Sequence, residues 1–186
     1  MEFLNPFIKY DKQLLLFLHS KGNTTWDSFW IFITDPIHWV PLFFVLFLIG
    51  YKAFGIKKSA LISLFTALGA ISSLLIVNVI KNYIKRLRPI NDESINDSIR
   101  VLIETPDYSF VSGHSTVSFT IAFLFYLIFK KTYKFSIIIF LFPLLFAYSR
   151  IYLAVHFPLD ILFGMFLGYI VAVLIYTLTN YVVLEK

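Results

Sequence analysis

Five apolar stretches, each close to the length that a helix needs to cross a bilayer, constrain this chain more than any other feature. About 20 mostly apolar residues are needed to span the hydrocarbon core. Because no water reaches that core, the backbone must satisfy its own hydrogen bonds, which favours helices. The predicted spans are Pro36–Phe54, Lys58–Ile80, Gly113–Phe129, Phe135–Ile151 and Pro158–Thr179. The sequence therefore predicts an all-α, polytopic transmembrane helical bundle with five spans.

Composition and charge support a membrane protein. Of 186 residues, 59% are hydrophobic and 15% are charged, whereas soluble domains carry about 25% charged residues. The chain has no cysteine, which excludes disulfides, thiolate metal sites and a cysteine nucleophile. Its net charge of +5 comes from lysines beside apolar runs, so we expect membrane lipids as partners and no nucleic acid. No linker divides the chain, which predicts a single domain over residues 1–186.

The N-terminal part, residues 1–34, predicts amphipathic helices that lie in the membrane interface. The first begins at Asn5, where a capping residue precedes proline, and stops near Lys21. The second covers Trp26–Ile33. A sixth span over residues 14–34 is the alternative, although charged and polar residues lie inside it. The transmembrane bundle is expected to cover residues 36–180.

The connections between the spans predict an orientation. Tyr51–Lys57 and Lys130–Lys134 fall on one side and contain lysines but no acidic residue. The positive-inside tendency places that side in the cytoplasm. The opposite side holds the loop Pro89–Ser112. The two sides have similar numbers of Lys and Arg residues, but several of those on the opposite side look functional rather than topological. We therefore expect a protein of the cytoplasmic membrane with this polar face on the periplasmic or extracellular side.

Alternating topology brings four polar groups together at that face, because the ends of spans two and four and the starts of spans three and five are equivalent. Ionisable groups at membrane depth are costly and usually functional. The groups are Lys81 with Arg88, Ser112-Gly113-His114, Arg150, and His156 with Asp160.

Cations beside a helix N-terminus make an anion site. Ser112 can cap the third span, whose first-turn amides carry the positive end of the helix dipole, and Gly113 lets an anion approach closely. Arg88 and Arg150 offer planar forks that match phosphate oxygens, and Lys81 adds a point charge.

Two histidines and a carboxylate supply reactive groups. Asp160 follows His156 by four residues, so it can hold one ring nitrogen and leave the other as a nucleophile. His114 has no carboxylate at that spacing and is the natural acid for a leaving oxygen. No carboxylates have metal-ligand spacing, so we expect neither a metal nor another cofactor.

Three blocks of this sequence resemble those of the type 2 phosphatidic acid phosphatase superfamily. In the first block, six residues separate Lys81 from Arg88-Pro89. The second block is Ser112-Gly113-His114. In the third, five residues separate Ser149-Arg150 from His156, and three more separate His156 from Asp160. The resemblance implies that His156 is the nucleophile, Asp160 its partner and His114 the acid. It also implies that phosphate is bound by Lys81, Arg88, Ser112, Gly113 and Arg150. Val111 stands where the family usually has proline, from which we expect a looser loop and retained activity.

The resemblance implies an integral-membrane, metal-independent lipid phosphate or diphosphate hydrolase that forms a phosphohistidine. Within this class we favour undecaprenyl diphosphate phosphatase. Phosphatidylglycerophosphate phosphatase, lipid A phosphatase and a lipid phosphotransferase using the same pocket are the alternatives. Lys85, Arg86 and Arg100 could hold a second phosphate, which would favour a diphosphate; Lys85 and Arg86 could equally form a helix end that binds headgroups.

Overall fold

The computed structural model describes residues 5–185, so the outermost residues of the predicted domain, 1–4 and 186, lie outside the description. Helices make up the regular structure of the described range, which confirms the all-α class. The α-helices are α1 (Asn5–His19), α2 (Thr24–Thr34), α3 (Val40–Ile84), α4 (Gly113–Phe129), α5 (Leu141–Tyr152) and α6 (Pro158–Thr179). Short 3-10 helices cover Pro36–Trp39, Pro89–Asn91, Asn96–Ser98 and Lys134–Phe140, and a π-helix covers Asn180–Leu184.

Helix α3 is a hairpin of two antiparallel helices. Gly55 breaks it with φ 75° and ψ 173°, a conformation that suits glycine because it has no Cβ. A Cβ added to Gly50 would lie 3.2 Å from Ser59 Oγ, whereas nine residues of straight helix extend about 13 Å. The chain therefore folds back at Gly55, inside the gap predicted between the first two spans.

The apolar helices make this a multi-pass membrane protein. Within residues 5–185, three segments are long and apolar enough to cross a bilayer: Pro36–Asn91, Lys134–Tyr152 and Pro158–Leu184. The shorter apolar helix Gly113–Phe129 is α4. The first segment contains both arms of the α3 hairpin, and the second begins as a 3-10 helix.

Close packing of α4 against α6 forms the centre of the bundle. A Cβ on Gly164 would lie 2.9 Å from the Ser112 carbonyl oxygen, and one on Gly168 would lie 2.6 Å from that of Thr116. At distances this short a Cβ would clash with the backbone of α4, so both positions require glycine. The two helices are therefore fixed with their N-termini at the same end of the bundle.

The two predicted N-terminal helices are present, and α1 buries one face against the bundle. Asp11, Leu15 and His19 are buried. The Asp11 carboxylate accepts a hydrogen bond of 2.8 Å from the Leu159 N–H at the start of α6. The His19 ring lies 2.7 Å from the Tyr152 carbonyl oxygen at the end of α5. Helix α1 is thus tied to the end of the bundle where α6 begins.

The lysine-rich connections lie together at the other end. The rings of Phe54 and Phe129, beside those connections, have centroids 5.5 Å apart. The polar groups predicted to converge therefore lie at the opposite end, as alternating topology requires.

Candidate active site

A cavity of about 490 Å³ lies at the end of the bundle where α4 and α6 begin. Six of the eight predicted site residues line it, namely Lys81, Arg88, Gly113, His114, Arg150 and His156. The other two, Ser112 and Asp160, are fully buried and lie directly behind this lining. The four groups predicted from topology therefore form one site.

The turn from α5 into α6 positions the histidine–carboxylate pair. Pro158 begins α6, as predicted, and Asp160 lies in its first turn. The Asp160 carboxylate accepts a hydrogen bond of 2.9 Å from the Phe157 N–H and lies 3.4 Å from His156 Nδ1. Since Nδ1 faces the carboxylate, it carries the proton, and Nε2 is left with a lone pair.

Burial and the neighbouring cations favour the neutral form of His156. Its Nε2 lies 3.4 Å from Arg88 Nη1. Burial, together with the charges of Arg88 and Arg150, holds the pKa of His156 well below its usual 6.5. A neutral imidazole is the nucleophilic form of this side chain.

The N-terminus of α4 is built as an anion site. Ser112 Oγ accepts a hydrogen bond of 3.3 Å from the Ser115 N–H, which confirms the predicted cap. The Ser112 N–H donates to the Asp160 carbonyl oxygen at 3.1 Å, which ties this cap to α6. Within residues 5–185, the N–H groups of Gly113 and His114 have no acceptor. Val111, in place of the family's proline, is buried before the cap; the looser loop stays a prediction.

Arg150 and His114 both line the cavity and both have nitrogens without a hydrogen-bond partner among the described residues. Arg150 is 3% exposed and donates from Nη1 to Thr34 Oγ1 at 2.5 Å. Its buried Nε has no acceptor in the described chain, which leaves a donor for a ligand. The His114 ring packs on Phe146 with centroids 5.0 Å apart, and its nitrogens are free of hydrogen bonds to the described residues.

A carboxylate absent from the prediction bridges two of the cations. Asp107 accepts hydrogen bonds from Lys81 Nζ and Arg88 Nη2, and the Arg88 Nε donates to its carbonyl oxygen at 2.9 Å. Burial raises the pKa of Asp107, but the hydrogen bonds and charges of Lys81 and Arg88 together have the larger effect and lower it from 3.8 to about 2. The carboxylate is therefore ionised and balances the positive charge of Lys81 and Arg88. In the sequence it is one of several acidic residues in a long loop, with nothing to distinguish it.

The structure corrects the prediction of a second phosphate site. Lys85, Arg86 and Arg100 do not line the cavity. Arg86 donates to the carboxylates of Asp160 and Asp11, both at 2.6 Å. Arg100 pairs with Asp27 at 2.9 Å. The physical reason is that carboxylates already hold Arg86 and Arg100, while Lys85 is exposed at the C-cap of α3 in a left-handed conformation, φ 52°.

Metal-binding side chains are not grouped in the described part of the chain. Among residues 5–185, no three His, Cys, Asp or Glu side chains lie close enough together to hold a metal ion.

Comparison with known proteins gives consistent matches. The model of the PAP2 superfamily matches residues 60–183. A lipid A 4'-phosphatase from Bacteroides thetaiotaomicron is 30% identical over 172 residues, which cover 90% of this chain and 75% of the relative. A lipid A 4'-phosphatase from Porphyromonas gingivalis is 28% identical over 182 residues, covering 94% of this chain and 75% of that protein.

Two solved structures share the fold. The crystal structure of a PAP2-type phosphatidylglycerolphosphate phosphatase from Bacillus subtilis superposes with a TM-score of 0.73 at 21% identity, covering 96% of this chain and 88% of that one. Aquifex aeolicus LpxE gives a TM-score of 0.67 at 26% identity, covering 89% of this chain and 93% of that one. On the family match, the relatives and the shared fold, this chain belongs to the PAP2 superfamily and is a membrane-bound lipid phosphatase.

Proposed function

We propose that this enzyme removes a phosphate monoester from a lipid A-type glycolipid by way of a phosphohistidine on His156. The observation that carries the proposal is the cavity itself, where Lys81, Arg88 and Arg150 surround a neutral histidine paired with a carboxylate. Three donors without an acceptor in the described chain support phosphate as its occupant: the buried Arg150 Nε and the N–H groups of Gly113 and His114.

In the first step, His156 Nε2 attacks phosphorus and the P–O bond to the lipid breaks. The Asp160 carboxylate accepts the hydrogen bond that the His156 Nδ1–H donates, and it stabilises the imidazolium that develops. The leaving oxygen takes a proton from the protonated form of His114, which lines the cavity and becomes neutral in this step. The cations and the first-turn amides stabilise charge on the equatorial phosphoryl oxygens.

In the second step, His114 accepts a proton from water, and the oxygen of that water attacks phosphorus. The P–N bond breaks, the electron pair returns to His156, and inorganic phosphate leaves. Every group required belongs to this chain, so the proposed reaction needs no metal. A phosphotransferase would differ only in its acceptor, a second lipid hydroxyl in place of water.

The substrate proposal departs from the undecaprenyl diphosphate that the sequence favoured. Both curated relatives are lipid A 4'-phosphatases, which supports a monoester on a glycolipid. The cations considered for a second phosphate also lie outside the cavity. Phosphatidylglycerophosphate is the second candidate, because the Bacillus subtilis phosphatase shares this fold.

We propose five spans and a site on the outer side of the cytoplasmic membrane. The two arms of the α3 hairpin, α4, α5 with its 3-10 extension, and α6 supply the five, and residues 1–186 form one domain. Because the chain lacks cysteine, single introduced cysteines can test in intact cells which side of the membrane the site faces. An impermeant maleimide should label Asp97→Cys, in the loop beside the site, and leave Lys130→Cys unlabelled. The reverse labelling would place the site in the cytoplasm.

The enzymatic test is phosphate release by purified protein in detergent micelles containing EDTA. The substrates are 4'-phosphorylated lipid A, phosphatidylglycerophosphate and undecaprenyl diphosphate, and His156→Ala is the control. We expect release from lipid A to be fastest, persistence in EDTA, and inhibition by orthovanadate. Fastest release from undecaprenyl diphosphate would overturn the substrate proposal, and loss of all activity in EDTA would overturn the metal-free mechanism.

A further inference from the structure

A buried chain of charges runs from the N-terminal helix to the reactive histidine. The Arg86 guanidinium donates from Nη2 to Asp11 and from Nη1 to Asp160, both at 2.6 Å. The other Asp160 oxygen faces His156 Nδ1. We propose that Asp11 and Arg86 are positioning residues that hold the Asp160 carboxylate, and through it the His156 ring, in the geometry for attack. The proposal rests on the proposed phosphohistidine mechanism.

Every oxygen of the two carboxylates is engaged in this arrangement. The second Asp11 oxygen accepts the Leu159 N–H at 2.8 Å, and the second Asp160 oxygen accepts the Phe157 N–H at 2.9 Å. The Arg86 guanidinium also lies 3.9 Å from the centroid of the Phe157 ring, which fixes its plane. Backbone N–H groups hold both carboxylates, and the Phe157 ring holds the guanidinium between them. Asp160 therefore has little freedom to rotate away from His156.

Burial makes the arrangement costly to interrupt. The side chains of Asp11 and Asp160 are 1% and 0% exposed, while that of Arg86 is 21% exposed. Two buried carboxylates thus share one guanidinium, and removing it leaves both without their cation. Breaking a buried ion pair on one side leaves an uncompensated charge. Carboxylate orientation at Asp160 should therefore depend on Arg86, and Arg86 orientation on Asp11.

The location of these residues separates them from the phosphate site. Neither Asp11 nor Arg86 lines the cavity. Asp11 also lies on α1, outside the residues 60–183 that match the superfamily. A role in binding phosphate would require contact with the cavity, whereas a positioning role requires only the bond to Asp160.

The test compares Arg86→Gln, Asp11→Asn and the double variant with the wild type. Single-turnover phosphohistidine formation is measured with 4'-phosphorylated lipid A, and orthovanadate binding is measured by calorimetry. We expect phosphohistidine formation to slow by about 10- to 100-fold, the usual effect of removing an outer hydrogen-bond partner. KM and the vanadate Kd should change by less than about twofold, because the phosphate ligands are untouched. The double variant should be no slower than Arg86→Gln, since Asp11 acts through Arg86.

A matched control separates positioning from simple docking of α1. Lys12 pairs with Asp92 at 2.6 Å and also joins α1 to the loop beside the site. Asp92→Asn removes an equal charge from that pair and should leave the rate of phosphohistidine formation within twofold. An equal slowing in Asp92→Asn, or a loss of vanadate affinity as large as the loss of rate, would overturn the proposal.

The proposed function and the positioning role can fail separately. Turnover by the wild type tests the proposed function, whereas the rate of phosphohistidine formation in a variant relative to the wild type tests the positioning role. If Arg86→Gln fails to bind vanadate because it is misfolded, Asp11→Asn decides the question, since it keeps the cation and nearly the same shape. An unchanged rate in Asp11→Asn would then refute the role of Asp11.

Discussion

Replacing Asp107 by asparagine should make the pocket bind phosphate analogues more tightly. Its ionised carboxylate bridges Lys81 and Arg88, two of the cations that we assign to the substrate phosphate. An incoming phosphate must displace this carboxylate or share its cations. Asparagine keeps the shape but removes the charge, so the cations become available at lower cost.

The pKa of Asp107 sets the size of the effect. Lowering this pKa from 3.8 to about 2 corresponds to about 2.4 kcal/mol of interaction favouring the charged form. The side chain is 51% exposed, and screening by water reduces such an interaction to on the order of 1 kcal/mol. We therefore expect orthovanadate to bind about fivefold more tightly to Asp107→Asn, since about 1.4 kcal/mol corresponds to tenfold.

Calorimetric titration of orthovanadate at fixed ionic strength is the assay. Asp97→Asn is the matched control, because Asp97 is an exposed residue of the same loop that does not line the cavity. Its vanadate Kd should equal that of the wild type. If Asp107→Asn binds vanadate equally or more weakly, Asp107 orders the two cations for substrate rather than competing with it, and the reasoning fails.

The remaining predictions concern the two histidines, Asp160 and the helix packing. His156→Ala should abolish turnover in a folded protein, and His114→Ala should slow formation of acid-labile phosphoenzyme by ~10²–10⁴; normal turnover in His156→Ala would mean that another residue attacks. Asp160→Asn should lower turnover by up to ~10⁴ with a much smaller change in vanadate affinity, and full turnover would refute its role. By ¹⁵N NMR without substrate, the His156 ring should be neutral at pH 6.5, because its pKa is lowered from that value; a half-protonated ring there would contradict the burial argument. Gly168→Ala places a Cβ 2.6 Å from the Thr116 carbonyl oxygen, so it should destabilise the protein by ~1–3 kcal/mol, seen as a lower Tm; an unchanged Tm would show that α4 and α6 can separate without cost.

Local signals were sufficient to predict several elements of the fold. The predicted third and fifth spans coincide with α4 and α6, because Ser112 and Pro158 mark helix starts through their own backbone and side-chain chemistry. Gly55 likewise breaks α3 within the predicted connection. The convergence of the eight predicted site residues followed from topology, since successive membrane helices must alternate in direction.

Side-chain partners that are distant in the sequence followed from no local signal. Asp107 and Asp97 lie in one acidic loop, yet only the first reaches Lys81 and Arg88. The sequence leaves open whether Arg86 holds a second phosphate or forms a headgroup-binding helix end; in the fold it bridges carboxylates that are 149 positions apart in the chain, Asp11 and Asp160. Spacing along a helix predicts which face a residue occupies. Which distant group it meets depends on how helices far apart in sequence pack, because each buried charge takes the partner that folding brings within hydrogen-bond distance.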